Sequence, residues 1–269
     1  MRLEPGFVAS VVGTVLTLSS HLWADSPASA VSTGGDRKVA TFSICAADPE
    51  TGVCGAAVAS MYPDVGHVVP YVRAGVGAFC TQHYHVPAWG ERALNLLAAG
   101  RSPQSVLTEL LDPDAQAGFR QLGIVDMQGR TANHNPTAAG ADSWYWGAMS
   151  GRYYSCQGNT LNGREVITAM AQGYEQNRGS LADRLMAALL AGDCAGGDHR
   201  GRLAAGIRVA KRDVADDWLA LYVDQSREAV LDLAKKYAEL KHDAKGDWPG
   251  GRTPFVHPCP NRPEPKRPS

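Results

Sequence analysis

The sequence predicts an α+β protein arranged as a four-layer α-β-β-α sandwich, and three observations lead there. The chain opens with strand-like apolar alternation, helical periodicity returns in adjacent pairs, and the blocks run four strands, two helices, strands, two helices, two strands and one helix. A doubly wound parallel sheet would alternate single strands with single helices, so paired helices between strand groups favour helical layers around two packed sheets.

The first block is a hairpin signal: Val39 to Cys45, the turn-rich Asp48-Pro49-Glu50-Thr51-Gly52, then Val53 to Ser60. His67 to Ala74 and Gly75 to Thr81 read as two further short strands. Pro87 to Ala99 carries Trp89, Ala93, Leu96 and Leu97 on one helical stripe, and Pro103 to Leu111 repeats it with Val106 and Leu110. Ser102 is a ready N-cap, and Pro103 is tolerated in the first turn. Strands resume at Gln121 to Asp126 and Thr131 to Asn133 around Gln128-Gly129, then at Tyr145 to Met149 and Tyr153 to Gln157. Helices follow at Gly163 to Gln176 and Leu181 to Ala191, the latter striped by Leu181, Leu185, Ala188 and Leu189 and expected to stop at Gly192. Strands at Leu203 to Ala210 and Trp218 to Val223 precede a last helix, Arg227 to Leu240, with Val230, Leu233, Ala234 and Tyr237 on one side.

These elements make one domain, residues 39–242. Ahead of it, residues 1–30 have the layout of a secretory signal peptide: Arg2, an apolar run from Phe7 to Leu18, and the small triplet Ala28-Ser29-Ala30. The run is too short for a stable membrane anchor. Residues 31–38 read as a flexible lead-in and 243–269 as a Pro/Gly-rich tail that Cys259 could pin. The expected location is therefore periplasmic or secreted. A formal net charge of −1 with interspersed signs argues against a nucleic-acid partner.

Six cysteines in an exported chain read first as disulfides. Cys45 and Cys54 flank the first turn and count inward to opposed positions, so a cross-strand bridge is expected there. Cys80, Cys156, Cys194 and Cys259 allow three pairings, among which the spacing does not choose. No C-x-x-C occurs, which disfavours a zinc knot or a thioredoxin-type site.

Five ordered strings carry a resemblance: Thr41-Phe42-Ser43-Ile44 with Asp48-Pro49-Glu50-Thr51-Gly52; Gly75-Val76-Gly77-Ala78 with Thr81-Gln82; Arg120-Gln121-Leu122-Gly123-Ile124-Val125-Asp126; Gln157-Gly158-Asn159; and Ala195-Gly196-Gly197-Asp198-His199-Arg200-Gly201. Over Thr41 to Asp224 the chain resembles the domain of unknown function 1028 family, which implies a fold like that of the N-terminal-nucleophile (Ntn) hydrolases, and the block order points the same way. The resemblance implies no particular activity.

Thr41 begins the first long strand, where such hydrolases carry their nucleophile. A hydroxyl needs a base, and a free α-amine with a pKa near 8 can serve. That chemistry requires the Ala40–Thr41 bond to be cut, and a β-branched residue chosen for a strand edge is the plainer account of Thr41. Arg73 is placed as a polarising cation, because Arg orients carboxylates but cannot act as base; a solvated strand charge is its rival reading. Gln82 and Asn159 are read as oxyanion donors, against turn satisfaction for Gln82 and helix capping for Asn159 or Asn162. Asp198 and Arg200, in a glycine-rich connection, are read as a pair shaping a pocket wall.

His67, His83 and His85 could chelate zinc only as a third reading, since no familiar ligand spacing supports them, and neither metal nor cofactor is expected. Trp144, Tyr145, Trp146, Tyr153 and Tyr154 form an aromatic group suited to packing or to stacking on sugars. The sequence thus frames two functions: an exported hydrolase of an amide or peptide bond acting on a peptide-like or cell-wall-derived substrate, or a non-catalytic envelope or peptide-binding module. Homo-oligomerisation is compatible with either.

Overall fold

The computed structural model describes residues 38–39, 41–138, 140, 143–215, 217–240 and 259. The expected signal peptide, most of the lead-in and most of the C-terminal tail lie outside the described residues.

Eleven strands among the described residues form two antiparallel sheets. They are β1 (Lys38–Val39), β2 (Thr41–Asp48), β3 (Val53–Ser60), β4 (Pro70–Arg73), β5 (Gly77–Tyr84), β6 (Arg120–Asp126), β7 (Thr131–His134), β8 (Tyr145–Gly151), β9 (Tyr154–Leu161), β10 (Ala204–Lys211) and β11 (Leu219–Val223). One sheet runs β1-β5-β6-β7 with β4 also on β5; the other runs β11-β10-β3-β2-β9-β8. The helices are α1 (Val65–Val68), α2 (Ala88–Ala98), α3 (Pro103–Leu111), α4 (Glu165–Gln176), α5 (Leu181–Cys194) and α6 (Ala229–Glu239).

Strand alternation divides the apolar residues into three clusters. Phe42, Ile44 and Ala46 of β2, with Tyr154 and Cys156 of β9, pack against Met170 and Tyr174 of α4, Leu185 and Leu189 of α5, and Leu233 of α6. The opposite face of β2 and β3, with Cys45, Ala47, Cys54, Ala56 and Val58, meets Ala78 and Cys80 of β5 and Val125 of β6, so this cluster lies between the two sheets. On the far side of the five-stranded sheet, Phe79, Leu122 and Ile124 pack against Trp89, Ala93 and Leu94 of α2 and Val106, Leu107 and Leu110 of α3. The helix caps follow expectation at α3, where Ser102 accepts from the Ser105 N–H, and at α5, where Ser180 and Asp183 form a reciprocal capping box.

Four expectations change. The stretch expected as a strand from His67 begins instead with the helical turn α1, whose Gly66 lies so close to Gly206 of β10 that a Cβ would come within 2.9 Å of the Gly206 Cα. α5 continues through Gly192 to Cys194, because this glycine sits against Met170: a Cβ there would lie 2.6 Å from the Met170 Cγ. Close packing, not helix termination, explains the residue. β9 extends to Leu161, which puts Gln157-Gly158-Asn159 inside a strand. The cap reading falls as well, since α4 starts at Glu165 with no side-chain cap and Asn162 Nδ2 donates to the Gly196 carbonyl (2.7 Å).

The cysteine assignment also needs correction. The hairpin pairs Asp48 with Val53, so Cys54 lies opposite Ala47 and Cys45 opposite Ala56, two positions out of register. Cys45, Cys54, Cys80 and Cys156 are buried free thiols. Burial pushes the Cys45 and Cys156 thiols well up and the Cys54 thiol to about 12, so all three stay protonated at neutral pH. The disulfide joins Cys194, at the end of α5, to Cys259, with Cα atoms 5.3 Å apart.

Candidate functional site

The space between the sheets is apolar at one end and polar at the other. Along β2 the same alternation that turns Phe42 and Ile44 toward the helices turns Thr41 and Ser43 toward the five-stranded sheet, and both are fully buried. Ser43 Oγ donates to Gln82 Oε1 on β5 (2.6 Å) and accepts from Gln157 Nε2 on β9 (2.7 Å). Gln82 Nε2 donates to Gln121 Oε1 (2.8 Å) and, at 3.4 Å, to the Thr41 carbonyl. Gln121 Oε1 also accepts from Asn159 Nδ2 (2.8 Å), while its own amide nitrogen donates to the Gly158 carbonyl (2.8 Å) and to Asn135 Oδ1 (2.9 Å). A buried amide needs partners, and these amides supply them to one another. Gly123 makes the layer possible: a Cβ there would lie 2.0 Å from Gln157 Oε1.

Around this layer the backbone is unusual. His83, Trp144 and Thr160 have left-handed backbones, with φ of 64°, 50° and 54°. They are linked in sequence: His83 Nε2 lies 3.4 Å from Ser143 Oγ, the neighbouring Trp144 stacks on His199 with ring centroids 4.1 Å apart, and the His199 N–H donates to the Thr160 carbonyl (2.9 Å). Such conformations cost about 1–3 kcal/mol each in non-glycine residues and gather at functional sites. At Thr160 the turn also interrupts strand alternation, so Leu161 joins the helix-side cluster while Asn159 keeps its side chain between the sheets.

The glycine-rich connection closes the same end. Asp198, fully buried, accepts from Arg200 Nη2 (2.6 Å) and Nε (3.0 Å) and, at 3.4 Å, from the Met61 N–H. Met61 follows Ser60, the cross-strand partner of Thr41. A second ion pair, Arg202 with Asp193, is buried behind it. Arg200 remains about one-third exposed and faces the same loop.

The chain enters this site by changing sheets. β1 pairs with the edge of β5, Lys38 opposite Tyr84 and Val39 opposite His83, whereas β2 starts in the other sheet at Thr41. Thr41 is therefore the first residue of the six-stranded sheet and sits beside the polar layer.

Of the residues singled out from the sequence, Thr41, Gln82, Asn159, Asp198 and Arg200 come together at this end. Arg73 does not. It lies opposite Gly77, at the other end of β5 from Gln82 and roughly 17 Å along the strand, where it donates to Asn95 Oδ1 (2.8 Å) and Glu91 Oε2 (2.6 Å) of α2. Its role is to tie strand to helix, and the polarising-cation reading is withdrawn. Gln82 is committed to Ser43, Gln121 and the Thr41 carbonyl, so it positions the first strand residue. Asn159 uses one N–H on Gln121, and its Oδ1 is buried without a hydrogen-bond partner.

The three histidines do not converge. His67 stacks on Tyr222 at 3.8 Å and lies 3.2 Å from Asp224; His83 Nδ1 is 2.6 Å from the Phe119 carbonyl; His85 packs edge-on to Tyr62. Among the described residues no three His, Cys, Asp or Glu side chains are grouped to hold a metal, so the zinc reading built on these histidines fails. The aromatic group also divides: Tyr154 packs on Tyr174 in the core, Tyr153 covers Gly129, and Trp144 stays exposed on His199.

Ser43, Gln121 and Gln157 were not singled out as site residues. The signal for Ser43 and Gln157 was present in the alternation Thr41-x-Ser43 and Gln157-x-Asn159, polar residues at every second position of strands that are otherwise apolar.

Fold and site together define an α+β domain in which two antiparallel sheets enclose a buried amide layer. The chain matches the family of unknown function DUF1028 over residues 41–233, and it belongs to that family. The match starts at Thr41. The crystal structure of a DUF1028 protein from Silicibacter pomeroyi is similar, with 27% sequence identity, a TM-score of 0.69, and coverage of 78% of this chain and 93% of that one. No curated protein matches the sequence.

Proposed function

We propose that this protein is an exported amidohydrolase of the Ntn type, built as an α-β-β-α sandwich and acting on an amide or peptide bond outside the cytoplasm. The observation that carries this reading is Thr41: a hydroxyl side chain on the inter-sheet face, first in its strand, with its carbonyl held by Gln82 and its surroundings ringed by left-handed residues. Cutting Ala40–Thr41 by attack of the Thr41 hydroxyl on the Ala40 carbonyl breaks the C–N bond and passes the hydroxyl proton to the departing nitrogen. The product is an ester on the Thr41 oxygen and a free amine, and water releases the ester as a carboxylate. The freed amine then serves as base. It takes the hydroxyl proton as Thr41 attacks a substrate amide, returns it to the leaving amine, and activates the water that hydrolyses the acyl ester. The spare N–H of Asn159 is the donor available to the oxyanion, and Asp198 with Arg200 forms the wall beside it.

A second reading is a non-catalytic peptide or envelope-binding module, favoured by β1 still being paired to β5 ahead of Thr41. Intact mass and N-terminal sequencing of the exported protein separate the two. A chain beginning at Thr41 that hydrolyses amide substrates, with activity lost by at least about a thousandfold in Thr41→Ala, supports the hydrolase. A chain still joined at Ala40 removes it.

A further inference from the structure

The edge of β5 is shared by two strands. β4 pairs along its first half, from Gly77 to Cys80, and the Thr81 N–H donates to the Val69 carbonyl. Past that point the same strand's edge is taken by β1, at His83 and Tyr84. β1 is two residues long, is the only strand on either sheet contributed by the segment ahead of Thr41 among the described residues, and is separated by one residue, Ala40, from Thr41, whose hydroxyl faces the gap. Consecutive Cα atoms are about 3.8 Å apart, so a strand laid where β1 lies delivers the carbonyl of its next residue to Thr41.

We propose that the substrate is an extended peptide, and that β1 occupies the place where the acyl side of that peptide binds. Resting on the reading of Thr41 as nucleophile, this assigns the mode of recognition. When the bond before Thr41 is cut and the segment leaves, the place beside His83 and Tyr84 that β1 held is vacated. An incoming peptide adds there as an antiparallel strand, so backbone hydrogen bonds supply binding and position. The chemistry requires this coincidence. Cleavage of the chain's own bond and cleavage of a substrate use one hydroxyl attacking one carbonyl position, so the groups that hold the first acyl segment hold the second. Tyr84, whose ring lies against Phe119 (centroids 5.2 Å apart), stands on this edge and offers apolar surface to the added strand's side chains.

The test uses the exported protein with its amino terminus determined, and Lys-Val-Ala-p-nitroanilide, which reproduces residues 38–40. Hydrolysis is compared with that of Ala-p-nitroanilide and of two copies of the tripeptide substrate N-methylated at the Val or at the Ala nitrogen. Expected are a kcat/KM at least about tenfold higher for the tripeptide than for the single residue, and a loss of about tenfold on N-methylation of the nitrogen that donates to β5, as one backbone hydrogen bond is worth. The free tripeptide acid should inhibit competitively. A cleaved, active chain that treats all four substrates alike overturns strand addition and leaves the amidohydrolase intact. A cleaved chain that hydrolyses none of the four and binds no tripeptide acid by calorimetry overturns it too. A chain still joined at Ala40 overturns both readings, and the mass distinguishes that case from the others.

Discussion

Replacing Gln121 with Leu should damage this domain far more than its modest size suggests. The side chain accepts from Gln82 and Asn159 and donates to Gly158 and Asn135, all within 2.9 Å. Leucine fits the volume and satisfies none of them. Gln82 keeps its contact to the Thr41 carbonyl, but Asn159 loses its side-chain partner and the Gly158 carbonyl loses the amide of Gln121. Two buried polar groups orphaned at about 1–3 kcal/mol each give a loss near 4 kcal/mol. For a domain of roughly 200 residues that corresponds to about 8–16 °C in Tm. Urea denaturation of wild type, Gln121→Leu, Asn159→Leu and the double variant closes a cycle. The double variant should cost about 1–2 kcal/mol less than the sum, since Asn159 is then no longer left unpaired. A single-variant loss under about 1 kcal/mol, or additivity within about 0.5 kcal/mol, would refute the reading of this layer as one interdependent network.

Three further outcomes are expected. Alkylation of the unfolded, unreduced protein followed by peptide mapping should find Cys45, Cys54, Cys80 and Cys156 labelled and the Cys194 and Cys259 peptides linked; a Cys45–Cys54 linkage would contradict the hairpin register. Gly192→Ala should lower stability by about 1–3 kcal/mol, as overpacking does, read as a shifted urea midpoint at unchanged m-value. Hydrogen bonding from Arg120 lowers the Asp114 carboxyl below its usual range, so its contribution is complete above the unfolded value near 3.9 and is lost as pH falls through the lower folded value. Asp114→Asn should therefore lose less stability than wild type between about pH 5 and pH 2, measured by thermal melts across that range.

Much of the architecture was legible from periodicity because burial enforces it. The paired helices and the succession of strand and helix blocks along the chain follow from apolar residues at spacings of two or of three and four. What escaped depends on contacts between distant segments. Gly192 reads as a helix stop until Met170 is seen against it, and His67 reads as the start of a strand until its neighbour Gly66 is seen packed on Gly206. The Cys45–Cys54 expectation failed on a register offset of two, which a turn of four residues sets and which composition does not reveal. At the candidate site, Thr41, Gln82, Asn159 and Asp198 were singled out because hydroxyl, amide and carboxylate groups punctuate their motifs, and the fold brings them to one end of the gap. Arg73 was misplaced because a motif says which strand holds a residue but not which end of the neighbouring strand it meets. Gln121 was overlooked since a buried glutamine outside such an alternation acquires meaning only when its partners across the gap are known.

The bridge between Cys194 and Cys259 spans 65 residues of sequence. Closing so long a loop removes enough freedom from the unfolded chain to favour folding by about 4 kcal/mol in the chain-entropy account. It also means that a peptidase nicking the polypeptide anywhere between those two positions cannot shed the terminal piece. The clipped ends stay joined through sulfur, next to the loop that carries Asp198, until a reductant separates them.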